Sequence, residues 1–308
     1  LTMATAWSWT GNENIKTFET CLRLLIQCAG SGGNLALNTG PTERGAINPP
    51  EMDNYKRIGA WLGTYGESIY GTTGGPYKPA PWGVATRKEN KVYLHVLANF
   101  VGEPVIELPA LPVEVTAVRS LNGASLDFEQ ADGVLRLTLD GAALEPINHV
   151  VELTVAGDAL DIPVIESVTE KNRIAYSLGD VSTGQTGRNS LETLLGRSGG
   201  NFVEGKKHKG WWAARNHDKA PWLMVDFERE VTFNAIALSE QMRNCSTRQF
   251  VLEYALGDTW ELLYEGQQIG MDFSLKTANV TASKLRIRFL KNADGLKPNL
   301  LSFDVFKL

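Results

Sequence analysis

Apolar residues recur at helical spacing near the start of the chain, from Phe18 to Ala29. Positions separated by three, four and seven residues share one face of an α-helix, so this segment is predicted as an amphipathic helix. We expect Asn14 to cap its first turn and Gly30 to end it in the left-handed conformation.

The segments on either side of this helix have the character of strands. Residues 3–9 precede it, and residues 34–38 follow it as a short buried strand. A second helix is predicted to begin at 48–51, where an Asn, two prolines and a Glu are start signals. The order strand, helix, strand, helix is typical of an α/β fold with parallel strands, and we assign it to residues 1–78.

The middle of the chain, residues 79–157, repeats its apolar residues at every second position. This period is typical of strands that bury one face. We therefore predict a small antiparallel β-sandwich, with strands that include residues 92–96, 113–115, 135–139 and 151–155.

The last part, residues 158–308, combines short apolar runs with long loops rich in Gly and Lys. Such runs fit a jelly-roll β-sandwich. The predicted strands cover residues 223–227, 233–238, 250–254, 260–264, 285–289 and 303–306. Residues 156–166, which contain Asp, Gly and Pro, are the predicted linker to this part.

The composition of the 308 residues is that of a globular protein, 43% hydrophobic and 21% charged. A net charge of -5 argues against a nucleic-acid partner, because phosphate binding needs a basic surface. No apolar run reaches about 18 residues, so no membrane span is predicted. Cys21 and Cys28 lie about 10 Å apart along a helix and Cys245 is alone, so we expect no disulfide. The start at Leu-Thr-Met, without a signal peptide, indicates a piece of a longer protein.

A series of motifs with specific spacing spans residues 32–72. This series closely resembles the end of the catalytic domain of α-L-fucosidases of glycoside hydrolase family 29. Its motifs are Gly32-Gly33-Asn34-Leu35-Ala36-Leu37-Asn38-Thr39-Gly40-Pro41, Gly45-Ala46-Ile47, Ile58-Gly59-Ala60-Trp61-Leu62 and Gly66-Glu67-Ser68-Ile69-Tyr70-Gly71-Thr72. Upstream, Ala6-Trp7-Ser8-Trp9 is similar to the family's Ser-Trp-Gly-Tyr segment.

The last part of the chain resembles a discoidin-type (coagulation factor 5/8) domain and is similar to family 32 carbohydrate-binding modules. The resemblance is carried by Pro221-Trp222-Leu223-Met224-Val225-Asp226-Phe227, Leu238-Ser239-Glu240, Phe250-Val251-Leu252-Glu253, Trp260-Glu261-Leu262-Leu263 and Glu265-Gly266-Gln267-Gln268-Ile269-Gly270.

Together these resemblances imply the final units of a TIM-like (β/α) barrel, then a β-sandwich, then a discoidin-like module. They imply hydrolysis of terminal α-L-fucose with retention, which uses two carboxyl groups about 5–5.5 Å apart. In the family the nucleophilic Asp and the acid/base precede the Ser-Trp-Gly-Tyr segment, so both are expected before Leu1 and this chain alone is expected to be inactive. The implied partners are fucosylated glycans and the N-terminal part of the barrel, with no cofactor. An extracellular or periplasmic location is implied, or a lysosomal one in a eukaryote.

Trp7 and Trp9 are the candidates for the substrate pocket. Alternate residues of a strand point to one side, and an aromatic face stacks on the apolar patches of a sugar ring. The alternative is that one or both pack in the barrel core. Asn38 and Thr39 follow the next strand, where they are expected either to approach the pocket or to hydrogen-bond the turn.

The carboxylates of residues 1–78 are weaker candidates. Glu13 and Glu43 lie in loops after strands, on the face where barrel active sites form. Glu67 follows the last helix and is expected to be structural, accepting hydrogen bonds from its turn. The others are interpreted as helix-surface or capping charges: Glu19, Glu51 and Asp53.

In the last part, one cluster has the residue types that suit a sugar, an aromatic platform with forked donors. Its members are Trp211, Trp212, Arg215 and His217, with Arg243 and Arg248 expected nearby. The alternative is that one of the two tryptophans is a core residue. Related domains hold Ca²⁺ through acidic residues here, but residues 205–210 are rich in Lys, so no calcium site is expected. The histidines show no zinc spacing, and no metal site is predicted.

Two other functions fit the same sequence. One is a non-catalytic glycan-binding protein that acts through the discoidin-like domain. The other is a structural role, in which both sandwiches support the barrel.

Overall fold

A computed structural model describes residues 1–4, 6–11, 15–168, 170–176, 178–184, 190–192, 194, 211–241 and 245–308. The chain forms two compact units. Unit 1 comprises residues 1–97 and 103–167, and unit 2 comprises residues 98–102 and 168–308. Most of the described structure is antiparallel β-sheet, with few helices. Across the described ranges, no helix has the length and apolar character needed to cross a membrane.

Two α-helices form in the predicted places, α1 (Phe18–Gly30) and α2 (Pro49–Tyr65). Thr17 caps α1, and its hydroxyl accepts from the Thr20 amide at 3.3 Å, whereas the predicted cap Asn14 lies outside the described residues. The predicted left-handed Gly30 is also wrong, because Gly30 is the last helical residue and the positive φ of 75° falls at Gly32. The start of α2 is confirmed.

The two predicted strands at residues 3–9 and 34–38 are reduced to a single parallel bridge between Thr2 and Asn38. Their backbones exchange two hydrogen bonds, from Met3 N to Asn38 O at 3.0 Å and from Asn38 N to Leu1 O at 2.7 Å. No other described segment pairs with either of them, so the ladder does not extend. The parallel direction is as predicted.

Unit 1 contains two antiparallel sheets. One has the order β1-β2-β3-β9-β6 and the other the order β5-β8-β7. Their strands are β1 (Thr73–Gly74), β2 (Gly83–Lys88), β3 (Lys91–Val96), β5 (Val105–Pro109), β6 (Val115–Ser120), β7 (Leu126–Ala131), β8 (Val134–Leu139) and β9 (His149–Val155). A short strand, β4 (Asn99–Phe100), lies between β3 and β5 in the sequence. The strands predicted at β3, β8 and β9 are confirmed, and their apolar residues at every second position are buried. Of these three strands only β8 alternates in burial, because the intervening residues of β3 and β9, such as Tyr93 and Glu152, are buried as well.

Helices α1 and α2 pack on one face of the five-stranded sheet. Leu22 and Ile26 of α1 share a buried cluster with Ile58 of α2 and Val84 of β2. Tyr65, at the end of α2, packs with residues of β3 and β9 in a second cluster. The helices and the five-stranded sheet thus share a hydrophobic core, and burial of this apolar surface stabilises unit 1.

The predicted linker, residues 156–166, is fixed to unit 1. The Arg87 guanidinium donates to the backbone oxygens of Ala159 and Ile162, at 2.9 and 2.5 Å. Ile165 N donates to Pro76 O at 2.9 Å, and Lys78 N donates to Ile165 O at the same distance. Unit 1 continues beyond this segment to Ser167, and the chain then enters unit 2 at Val168.

Unit 2 is built on a seven-stranded sheet that runs β10-β12-β15-β13-β14, with β17 paired to β12 and β4 paired to β15. A two-stranded ladder joins β11 and β16. These strands are β10 (Leu178–Val181), β11 (Trp212–Ala213), β12 (Trp222–Ser239), β13 (Thr247–Leu256), β14 (Thr259–Gly266), β15 (Phe273–Asn292), β16 (Asn299–Leu300) and β17 (Ser302–Phe306). The strands predicted at 223–227 and 233–238 are one long strand, β12, whose pairing with β15 shifts register between Asp226 and Val231.

Candidate functional site

Residues that follow the Thr2–Asn38 bridge meet at one edge of unit 1. Because the two segments run parallel, Trp7 and Trp9 lie beyond the same end of the bridge as Thr39. The Asn38 side-chain amide donates to the backbone oxygen of Trp7 at 3.1 Å. The structure thus brings the two pocket candidates to the residues predicted to approach the pocket.

Gly40 provides a second link to the tryptophan segment. A Cβ atom at this position would lie 2.5 Å from the Trp9 amide nitrogen and 2.9 Å from the Ser8 carbonyl carbon. No side chain fits in that space, so glycine allows the two backbones to touch. This contact explains a glycine at position 40 without any need for a positive φ.

The two tryptophans differ in exposure. Trp7 is 79% exposed, whereas Trp9 is half-buried. Their segment is not a strand, so the argument that both point to one side is wrong. A large, exposed aromatic ring such as that of Trp7 is nevertheless suited to contact the apolar patches of a ligand.

A buried carboxylate lies behind this edge. The Thr39 hydroxyl donates to Glu51 Oε2 at 2.5 Å. Glu51, in the first turn of α2, is only 1% exposed, and its Oε1 is buried without a hydrogen-bond partner in the part of the chain that the structure describes. The interpretation of Glu51 as a helix-surface charge is therefore wrong.

Two polar side chains of α2 hydrogen-bond to the backbone of two more segments of the same region. The Asn54 side chain donates to Lys16 O at 2.8 Å, and the Tyr55 hydroxyl donates to Leu37 O at 2.7 Å. Burial raises the pKa of Tyr55, as does the Glu51 charge, so this hydroxyl stays protonated and remains a donor. Helix α2 is thus the support on which the edge is assembled.

The remaining carboxylates of residues 1–78 point to structural roles or to solvent. Glu19 and Asp53 both contact Arg57, at 3.2 and 4.0 Å. Glu43 is exposed in its loop. Glu13 lies outside the described residues.

Glu67 is structural, as expected, although its donors are side chains and not the turn. It lies in the 3-10 helix Gly66–Ser68 and accepts from the Tyr93 hydroxyl at 3.4 Å. The Arg119 guanidinium lies 3.3 Å from its Oε1 and also bonds to Glu152. These contacts tie the end of α2 to strands β3, β6 and β9.

In unit 2, the structure separates the two adjacent tryptophans. Trp212 is fully buried and stacks on Phe289 with ring centroids 5.6 Å apart, so it offers no free ring face. Its indole N–H donates to Thr183 O at 3.2 Å. Trp211 is half-buried, and Arg215 and His217 are exposed in the loop that follows. One tryptophan of the pair is therefore a core residue, which was the alternative considered from sequence.

Asp218 organises the loop that carries Arg215 and His217. Its carboxylate accepts from the hydroxyls of Ser182 at 2.5 Å and Thr183 at 2.6 Å. Burial alone would raise the pKa of Asp218, but these hydrogen bonds outweigh it and lower the pKa. The Arg215 guanidinium donates to Gly184 O at 2.7 Å, which holds the side chain against the same neighbouring loop.

Arg243 and Arg248 were predicted to lie near this cluster. Arg243 and the Lys-rich run at 205–210 lie outside the described residues. Arg248 is described, and its guanidinium donates to the backbone oxygens of Cys245 and Thr247, at 3.1 and 2.9 Å. Within the described ranges, no group of three or more His, Cys, Asp or Glu side chains has the arrangement of a metal site.

Glu240 is a buried carboxylate that was not predicted from the sequence, and it supports the loop that follows it. Glu240 is 1% exposed, and its Oε1 accepts from the amides of Ser246 and Thr247, both at 2.9 Å. Its Oε2 accepts from Gly270 N at 3.0 Å. Burial raises the pKa of this carboxyl. The sequence signal was a Glu directly after an apolar strand and before a polar loop.

Comparison with known proteins supports one class for the region that carries Trp7, Trp9 and α2. Residues 1–67 match the family model described as Alpha-L-fucosidase. The predicted resemblance to α-L-fucosidases is therefore confirmed for this region.

Two curated relatives point the same way. The chain is 30% identical over 129 residues to the plasma α-L-fucosidase of Pongo abelii, a match that covers 38% of this chain and 28% of that protein. It is 35% identical over 97 residues to the tissue α-L-fucosidase of Mus musculus, covering 30% and 20%. A solved structure, α-L-fucosidase isoenzyme 1 from Paenibacillus thiaminolyticus, shares 30% identity over 51% of this chain and 39% of that one, with a TM-score of 0.46. The chain thus spans less than a third of the length of these curated relatives.

Proposed function

We propose that this chain is the C-terminal part of a retaining α-L-fucosidase, which releases terminal α-L-fucose from glycans. The observation that carries the proposal is the family match over residues 1–67, because that region contains the edge formed by Trp7, Trp9, Asn38 and Thr39. We infer that residues 1–78 are the final units of the catalytic (β/α) barrel, followed by a β-sandwich over residues 79–157.

In this proposal the chain supplies a wall of the substrate pocket. The Trp7 ring, with its exposed face, suits the methyl group and the apolar side of fucose. Trp9, held against Gly40, lines the pocket beside it.

The catalytic carboxyl pair is proposed to lie before Leu1. Retention needs a nucleophile and an acid/base about 5–5.5 Å apart. Within residues 1–78, the described acidic side chains contact Arg57, Arg119 or Thr39, except for the exposed Glu43. These contacts support a non-catalytic role for the carboxylates of this chain.

The test is a hydrolysis assay on two proteins. One is this 308-residue chain, and the other is the same chain with any sequence that its gene encodes ahead of Leu1. We expect release of nitrophenol from a nitrophenyl α-L-fucoside by the longer protein alone. Hydrolysis by the 308-residue chain would contradict the placement of the acids, and inactivity of both proteins would contradict the function.

A second role is proposed for residues 158–308, as a discoidin-like carbohydrate-binding domain. Arg215 and His217 are exposed near the half-buried Trp211 in sequence, and the hydrogen bond that the Asp218 carboxylate accepts from Ser182 fixes their loop. A preformed loop with forked donors next to an aromatic ring suits a sugar. Trp212 is left out of this proposed site because it is a core residue, and Arg243 remains a proposed member.

Glycan binding is testable with the whole chain in a calorimetric titration with a fucosylated trisaccharide. We expect Arg215→Ala to weaken binding about tenfold, the effect of losing one good polar contact. Arg229→Ala is the matched control, because Arg229 is also exposed and lies on strand β12, away from this loop in sequence. Equal affinity of the Arg215→Ala variant and the wild type would rule out this site.

The proposed substrate also bears on location. The two curated relatives named above are plasma and tissue α-L-fucosidases. We propose an extracellular, periplasmic or lysosomal location, where fucosylated glycans are found.

A further inference from the structure

The Trp7–Trp9 segment has little regular structure of its own. It forms no strand, and Trp7 is 79% exposed. Its backbone is instead positioned by residues 38–40, which begin at the bridge residue Asn38. Asn38 donates to Trp7 O at 3.1 Å, and Gly40 touches the Trp9 amide. The position of the two rings therefore depends on the position of residues 38–40.

Thr39 is the central residue of residues 38–40, and its side chain contacts helix α2. Its hydroxyl donates to Glu51 Oε2 at 2.5 Å. Among the described residues, this hydroxyl is the one partner shown for the buried carboxylate, whose Oε1 has none. A buried carboxylate with so few hydrogen-bond partners destabilises the fold, and destabilising features of this kind cluster at functional sites.

We propose that Glu51 is a positioning residue of the fucoside pocket, acting through Thr39 on the backbone that seats Trp7 and Trp9. This inference rests on the proposed fucosidase function. Glu51 contacts no substrate. It fixes residues 38–40 to the rigid first turn of α2, which Asn54 and Tyr55 anchor to neighbouring segments. The position of the pocket wall then follows from helix α2.

The proposal makes a specific kinetic prediction for Thr39→Val in the chain carried with its preceding sequence. The substitution keeps the shape of the side chain and removes the hydroxyl. A displaced wall weakens substrate binding without touching the catalytic acids, so we expect KM for the nitrophenyl α-L-fucoside to rise about tenfold with kcat nearly unchanged. Thr39→Ser keeps the hydroxyl and is expected to restore the wild-type KM.

A merely structural role gives a different result. Partial unfolding lowers the amount of active enzyme, so the apparent kcat falls while KM is unchanged. Thr42→Val is the control within the same loop. The Thr42 hydroxyl accepts from Ala46 N at 3.2 Å, and within the described residues no hydrogen bond links this hydroxyl to Trp7 or Trp9. We expect this variant to keep the wild-type KM.

Gly40→Ala provides a second test, because the added Cβ would overlap the Trp9 amide and force the two backbones apart while Thr39 keeps its hydroxyl. We expect the same increase in KM. The proposal is overturned if Thr39→Val and Gly40→Ala both keep the wild-type KM, or if Thr42→Val raises it equally. Absence of fucosidase activity in the wild-type protein would instead contradict the proposed function, so the two failures are distinguishable.

Discussion

At the scale of single residues, His95 in strand β3 is a buried base without a charged partner. It is fully buried, and its ring nitrogens contact the Thr86 hydroxyl and the Asn148 amide, both at 3.3 Å. Burial lowers the pKa of His95 to about 4, because the charged ring would lose its hydration. The histidine is therefore neutral in the folded protein at any pH near 7.

This shift predicts a loss of stability in mild acid. Between pH 6.5 and 4 the unfolded chain binds a proton that the folded chain excludes, so the free energy of unfolding falls as the pH falls. One group with this shift accounts for about 3 kcal/mol. We expect denaturant titrations at pH 7 and 4.5 to show a smaller decrease for His95→Gln than for the wild type.

The buried carboxylate Glu152 acts in a separate pH window. Burial alone would raise the pKa of Glu152, but hydrogen bonds from Arg119 and Lys91 outweigh it and lower the pKa. The contribution of Glu152 to the free energy of unfolding is therefore complete above about pH 4.5 and is lost only below it.

The His95 prediction would be contradicted if His95→Gln and the wild type lost equal free energy of unfolding between pH 6.5 and 4.5.

At the scale of elements, the contact between α1 and β2 depends on a glycine. A Cβ atom at Gly30 would lie 2.4 Å from Val84 Cβ, far inside the contact distance. Alanine normally stabilises a helix relative to glycine by about 1 kcal/mol. At Gly30 alanine is instead expected to be destabilising, because the helix or the strand must move to relieve the overlap.

We expect Gly30→Ala to lower the free energy of unfolding by about 1–3 kcal/mol. Gly63→Ala in α2 is the matched control, since nothing lies within 4 Å of its added Cβ, and it should be neutral or stabilising. Urea denaturation measures both. A Gly30→Ala variant as stable as the wild type would contradict the described contact.

Elements with strong local signals were predictable from the sequence. The Asn-Pro-Pro-Glu start placed α2 correctly, and alternation placed β3, β8 and β9. The strand predicted at residues 3–9 failed for a non-local reason. A strand needs a paired neighbour along its length, and among the described residues β-pairing here is limited to the bridge between Thr2 and Asn38. The burial of Glu51 was equally hidden, because it depends on Thr39, twelve residues away in sequence.

At the scale of the whole molecule, the sequence indicated α/β structure followed by β-structure, but it did not predict how the chain divides. Residues 98–102 belong to unit 2, although residues on both sides belong to unit 1. No composition change marks this crossing. Only the pairing of β4 with β15, between positions about 175 residues apart, defines it.

The same crossing limits how evolution or an experimenter can recombine this gene. A single cut after Ser167 would separate β4 from its sheet and remove the Val101 amide that donates to Lys276 O at 2.9 Å. The stretch of β15 at Leu275 and Lys276 would then present an open edge, which invites pairing with foreign strands. Transplanting the second unit intact therefore requires a graft of five residues from within the first.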